Sequence, residues 1–153
     1  NTCIDTSGSP YTEEEPYHSK FVELMKYTDL VMLDIKHIDP VRHKALTGRG
    51  NANILAFATY LAKKGIDVWI RHVLVPGVTD NEKYLFELGR FIGGIRTLKA
   101  LDVLPYHSMA RGKYKSLDIP YPLGNIPDAT KEQAQKARDI IMQGLYDRLK
   151  QKK

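Results

Sequence analysis

The sequence contains one cysteine, Cys3, among 153 residues. A single thiol excludes an internal disulfide and an all-cysteine metal site built from this chain alone, and it suits a reducing compartment. No apolar run reaches the roughly 18 residues a membrane helix needs, and the opening residues carry no signal-peptide pattern. No membrane partner is expected, and a cytoplasmic location is. Repeats of fixed period and low-complexity tracts are also missing, which excludes solenoids and arrays. No two-residue hairpin turn joins two apolar runs, so an antiparallel meander is not expected. Charge is not of one sign: 23 Lys and Arg stand against 18 Asp and Glu, a net charge of +5. Much of the excess lies in KARDIIMQGLYDRLKQKK, where basic residues suit the negative end of a helix dipole. With no aromatic-rich RNA motif and no zinc-finger spacing, that stretch reads as a solvated helix face, and nucleic acid is not an expected partner.

What is present is ordinary in composition, 42% hydrophobic and 27% charged, and long enough for the core of one domain. TCID (2–5) reads as a short strand, with Gly8 and Pro10 breaking the chain after it. A helix is predicted over 21–27 and a strand over 30–36. Asp39 and Pro40 form an N-cap and first-turn pair for a helix stopping at Gly48. Asn51 is expected to cap the next helix, whose Ile54, Leu55, Phe57, Ala58 and Leu61 make an apolar stripe ended by Gly65. Residues 68–77 read as a strand, Asp80 as the cap of a helix through Phe91, and 100–107 as the fourth strand. A loop of some twenty residues precedes a terminal helix opened by Thr130, with Gln133 three residues on. The order β-α-β-αα-β-α-β-loop-α predicts an α/β fold with a parallel sheet and right-handed crossovers. Four βα units are too few for an eight-stranded barrel, which takes about 200 residues or more. The expectation is therefore the later part of a larger barrel, with a compact open sheet as the alternative.

The strand ends carry the chemistry. In VMLDIKHID (31–39), Met32, Asp34 and Lys36 share one face, while Val31, Leu33 and Ile35 share the other. Burying opposite charges costs several kcal/mol per ion unless each is paired. Such a pattern marks either emergence into solvent or a ligand site. The first strand ends at Asp5 and Thr6, the third carries Arg71 within an apolar run, and the fourth ends in Pro105, Tyr106 and His107. Each has a plain reading: a helix cap, a structural ion pair, a hydrogen-bonded histidine. Four together at the carboxyl ends of parallel strands, where such folds bind ligands, favour a site. Asp5, Thr6 and Asp34 offer hard oxygens for a cation or ammonium group. Lys36 and Arg71 suit a carboxylate, and His107 a hydroxyl or ring nitrogen. The set fits a zwitterionic, amino-acid-like ligand.

Taken in order, TCIDTSG, TDLVMLDIKHID, VWIRHVLVPGVTD and LDVLPYH resemble the activating enzymes of pyruvate formate-lyase, a radical S-adenosylmethionine (SAM) family that activates glycyl-radical enzymes. The resemblance implies a partial, parallel-stranded (β/α)6 barrel, of which this single domain (1–153) would supply the last four strands as a C-terminal portion. It implies a monovalent cation, potassium or sodium, held by Asp5, Thr6, Asp34 and the backbone carbonyl of Met32. Asp34 would then be a metal ligand rather than a partner of Lys36. Asp5, Asp34, Lys36, Arg71 and His107 fall where the family binds SAM. The implied chemistry is reductive cleavage of SAM at a [4Fe–4S] cluster, yielding a radical that takes a hydrogen from a glycine of pyruvate formate-lyase in anaerobic glucose metabolism. The implied partners are that glycyl-radical loop and a flavodoxin- or ferredoxin-type electron donor. The family's CxxxCxxC loop and Gly-Gly-Glu motif are absent, so no catalytic residue is assigned and the chain alone is expected to be inactive. Cys3, on a strand, cannot replace three thiolates and is expected to pack.

Two other classes of function fit parts of the pattern. A Schiff-base aldolase would use Lys36 as nucleophile, but the neighbouring Asp34 favours the charged, unreactive amine. A non-catalytic module that docks a protein partner would need no cofactor. An open strand edge and uncovered apolar faces also predict self-association.

Overall fold

The computed structural model describes residues 1–151. Four strands, β1 (Cys3–Thr6), β2 (Leu30–Asp34), β3 (Asp67–Leu74) and β4 (Leu98–Pro105), form one parallel sheet in the order β1-β2-β3-β4. Helix α1 (Tyr17–Met25) joins β1 to β2, and α2 (Pro40–Thr47) and α3 (Ala52–Lys64) join β2 to β3. Helix α4 (Glu82–Ile92) joins β3 to β4, and a short α5 (Arg111–Ser116) precedes the terminal α6 (Lys131–Lys150). The parallel α/β architecture expected from the sequence is therefore the one observed.

Among the described residues, only one face of the sheet is covered. Val31, Leu33, Ile35, Val68, Ile70 and Leu74 are buried beneath helices, joined by Phe57, Leu61, Leu88 and Ile141. The alternate residues Met32, Asp34, Arg71 and Val73 are half-buried, and Trp69 and Leu104 are 41% and 37% exposed. Period-two alternation thus sends every apolar β2 and β3 residue of one phase into the core and leaves the other phase on an open face.

Local signals set most boundaries. Asp39 accepts a hydrogen bond from the Arg42 amide (2.8 Å), Pro40 opens α2, and Gly48 closes it at φ +77°. Thr130 and Gln133 form the reciprocal capping box of α6. Other expectations need correction. Asn51 precedes α3 but does not cap it; its side-chain amide donates to the carbonyls of His37 and Ile38 and ties down the β2–α2 loop. Asn81, not Asp80, caps α4, while Asp80 accepts from the Gly77 amide in the preceding turn. The twenty-residue loop contains α5. Cys3 is exposed rather than packed.

Helices α4 and α6 cross at glycine. A Cβ on Gly89 would fall on the carbonyl oxygen of Ile141, and one on Gly144 on that of Phe86. The backbones meet there with no room for a side chain, which sets how closely the two helices seal the core at the β4 end.

Candidate functional site

Side chains of β1, β3 and the end of β2 converge in one ion network. Asp34 and Arg71 are directly opposite in the β2–β3 register, and Asp5 is opposite Met32 on β1, so all three stand on the open face. Arg71 Nε donates to Asp34 Oδ1 at 2.9 Å, and Nη1 donates to Asp5 Oδ2 at 2.9 Å. Its Nη2 closes the bidentate fork on Asp5 Oδ1. Lys36 Nζ donates to Asp34 Oδ2 at 2.8 Å. One guanidinium and one ammonium therefore balance two carboxylates across three strands. Burial works against the charge of Arg71, but its hydrogen bonds to Asp5 and Asp34 outweigh that and hold its pKa above the ordinary value. A planar guanidinium suits this place because its fork reaches both carboxylates at once, which a lysine could not do.

Asp34, which the resemblance makes a metal ligand rather than a salt-bridge partner of Lys36, accepts from Lys36 and Arg71 together. Thr6 is in register with Leu33, on the helix-covered side, and its Oγ1 accepts from the Gly8 amide at 3.0 Å. Met32 lies half-buried between Asp5 and Asp34 on the open face. His107 follows β4 at the same end of the sheet but is exposed and outside the network. The structure thus brings together Asp5, Asp34, Lys36 and Arg71, with Met32 among them, and leaves Thr6 and His107 apart.

The register adds Asp102, which sequence reasoning did not single out. It is paired with Arg71 across β3 and β4 and is exposed on the same face. A further carboxylate residue thus stands beside Arg71 on the β4 side, while the guanidinium itself is engaged by Asp34 and Asp5. Behind the network, His72 is buried on the covered face, where Nδ1 donates to the Ile35 carbonyl at 2.8 Å. This bond links β3 to the segment that carries Lys36.

Chemically, two carboxylates converging on a cation can hold an ammonium group or a small metal ion, and Lys36 and Arg71 can meet a carboxylate. Among the described residues no group of three or more His, Cys, Asp or Glu is placed to hold a metal ion. A cluster that needs three thiolates does not fit a chain whose one cysteine is Cys3. No described helix is long and apolar enough to cross a membrane.

No protein-family model matches the chain. Curated relatives do. It is 40% identical over 152 residues to the pyruvate formate-lyase-activating enzyme of Streptococcus mutans, covering 99% of this chain and 58% of that protein. It is 44% identical over 137 residues to the protein of that name from Staphylococcus epidermidis, covering 90% and 55%, and 43% identical to one from Staphylococcus aureus, covering 90% and 54%. The chain spans a little over half the length of these relatives. A crystal structure of a domain of pyruvate-formate lyase-activating enzyme from Bacteroides vulgatus superposes with a TM-score of 0.71 at 20% identity, over 93% of this chain and 75% of that one. This likeness bears on the fold.

Proposed function

The chain is homologous to the pyruvate formate-lyase-activating enzymes over nearly its whole length, and from that premise we propose that it is the C-terminal portion of an enzyme that activates a glycyl-radical partner. The observation that carries this is the 40% identity over 152 residues, which takes in all three strands of the network. The reading places the protein in the cytoplasm and makes it one of the radical SAM enzymes, with a glycyl-radical loop of pyruvate formate-lyase as substrate and a flavodoxin- or ferredoxin-type donor of electrons.

SAM and a [4Fe–4S] cluster would supply the hydrogen-abstracting radical. The cluster does not fit the residues of this chain, so no step through it is assigned here. SAM fits better. Its amino-acid end carries a carboxylate, for which Lys36 and Arg71 are the cations available on the open face. Asp5 and Asp34 would face a monovalent cation, potassium or sodium, beside that carboxylate, with the carbonyl of Met32. Thr6 would complete the set only by turning from the covered side, where its Oγ1 accepts from the Gly8 amide. For the ion to enter between the two carboxylates, Arg71 must give up at least one of them. His107 would stand toward the nucleoside part. The work of these residues is binding, orientation and charge balance; the reactive group belongs to the cofactor.

The test is calorimetric titration of SAM into the chain, in potassium and then in a bulky-cation buffer. Weak binding that needs potassium supports the assigned half-site. Binding of equal strength in both buffers would remove the cation from the reading. Glycyl-radical formation on pyruvate formate-lyase, read by electron paramagnetic resonance with the full-length enzyme, tests the activity itself.

A further inference from the structure

A cleft of about 400 Å³ opens beside the ion network, between the loop after β1 and the end of α2. That is within the range of small-ligand sites, about 300–1,000 Å³. Its polar lining is Ser7, Ser9, Asp34, Lys36, His43, Thr47 and Arg49, with Pro10 and Ile54 as apolar lining.

The charges of the neighbouring network cancel: Asp5 and Asp34 are matched by Arg71 and Lys36. Arg49 is different. Only its backbone is engaged, and its guanidinium has no hydrogen-bond or ion-pair partner among the described residues. That backbone is held firmly. Its carbonyl accepts from His43 Nδ1 at 2.8 Å and from Thr47 Oγ1 at 3.1 Å, and Gly48 before it takes the left-handed conformation. His43 is only 2% exposed, so the clamp is built into the core. A fixed loop thus carries an uncompensated guanidinium in the wall of a cleft whose surface is mainly apolar and can pack against a short methylene stem.

We propose that this cleft receives an acidic side chain of the docked partner polypeptide, with the carboxylate paired to Arg49. The proposal rests on the reading that the substrate is a protein loop, and it names a recognition element for that loop. A guanidinium fork matches a carboxylate bidentately, and Ser7 and Ser9 add hydroxyl donors. Asp34, also in the wall, repels an anion placed near it, so the carboxylate sits at the Arg49 side. Pro10 and Ile54 favour a glutamate or aspartate stem over a bare anion.

The experiment is two-dimensional amide NMR of this chain with three probes: the peptide acetyl-Gly-Glu-Gly-amide, its Gln counterpart, and acetate. The Glu peptide is expected to shift the amides of Ser7, Ser9 and Arg49 with a Kd of about 1 mM, and the Gln peptide to bind at least about tenfold more weakly. Arg49→Gln, at an exposed position, should keep the rest of the spectrum and weaken the Glu peptide by about tenfold. No shift, an equal response to the Gln peptide, or an unchanged response in Arg49→Gln overturns the proposal. Acetate binding as tightly as the Glu peptide overturns it too, assigning the cleft to a free small anion. None of these outcomes depends on SAM, so failure here leaves the SAM titration to judge the proposed function separately.

Discussion

Removing the Arg71 guanidinium would leave Asp5 and Asp34 on the open face with Lys36 as their one remaining cation. Asp34 is only 18% exposed, so the loss falls mainly there; Asp5, at 53%, is screened by water. Arg71→Met should lower stability by about 1–3 kcal/mol. If the two carboxylates form a monovalent-cation site, potassium should restore part of that loss and tetramethylammonium should not. Equal urea midpoints in the two salts would argue against the ion site. A second residue-scale prediction concerns pH. Burial pushes the pKa of His72 down, and burial does the same to His37 against the opposing pull of Asp39. Their unfolded value is about 6.5. Above it both states hold neutral rings and stability does not change on their account. Below it the unfolded chain takes protons that the folded one refuses, so stability falls as pH drops from about 6.5 toward the folded values, by up to about 1.4 kcal/mol per pH unit for each group. His72→Gln, which keeps a donor for the Ile35 carbonyl, should flatten urea midpoints measured from pH 8 to 5; an unchanged slope would clear His72 of the effect. Asp34 and Arg71 were legible as members of a charged cluster because a charge inside an apolar strand has few plain explanations. Asp102 was not, because LDVLP is an ordinary alternation and only the register sets it against Arg71. Thr6 stands apart from the network for a related reason: it adjoins Asp5 in sequence, but adjacent strand residues face opposite ways.

At the scale of elements, legibility followed the chemistry of helix ends. Asp39 with Pro40 and Thr130 with Gln133 are stereochemical signals, and both helices begin where those residues put them. Helix α1 begins four residues before the predicted start at Phe21, since Pro16 gives no side-chain cap and Tyr17 to Lys20 show no apolar phase. Helix α5 was missed because none of its residues is buried; Arg111 holds it instead, donating to the Ile126 carbonyl and lying over the Tyr121 ring. The glycine crossing of α4 and α6 was equally silent, since a mid-helix glycine states a cost without naming its neighbour. Its consequence is testable. Gly144→Ala must push α6 away from the Phe86 carbonyl and should lower stability by about 1–3 kcal/mol despite the better helix propensity of alanine. Gly112→Ala on α5 meets nothing within contact range and should be neutral or slightly stabilising. Thermal melts of the two variants decide the matter: similar shifts would mean that α6 can move away at little cost. Thr130→Ala should cost about 1 kcal/mol through loss of the capping box.

For the molecule as a whole, strand and helix alternation gave the parallel sheet, but not how bare one face of it would be. All-parallel sheets are normally covered on both sides, and here, among the described residues, one phase across β2, β3 and β4 has no helix over it. Two features could drive self-association, and they differ in strength. Strand β1 pairs only with β2 among the described residues, yet it is four residues long and carries Asp5, both of which blunt an edge. The open face instead presents Trp69 and Leu104, with Met32 and Val73 half-buried beside them. Burying that apolar surface favours association, while the charged network at its upper end must be desolvated, which opposes it. The balance predicts a weak, concentration-dependent dimer formed face to face. Light scattering across a concentration series should therefore show a rising mass that Trp69→Glu abolishes and Cys3→Lys, on the edge, leaves nearly unchanged. The reverse pattern would move the contact to the β1 edge. A constant monomer mass at every concentration would mean that desolvating Asp5, Asp34, Lys36 and Arg71 outweighs the apolar gain, and that this face is kept free for what the network binds.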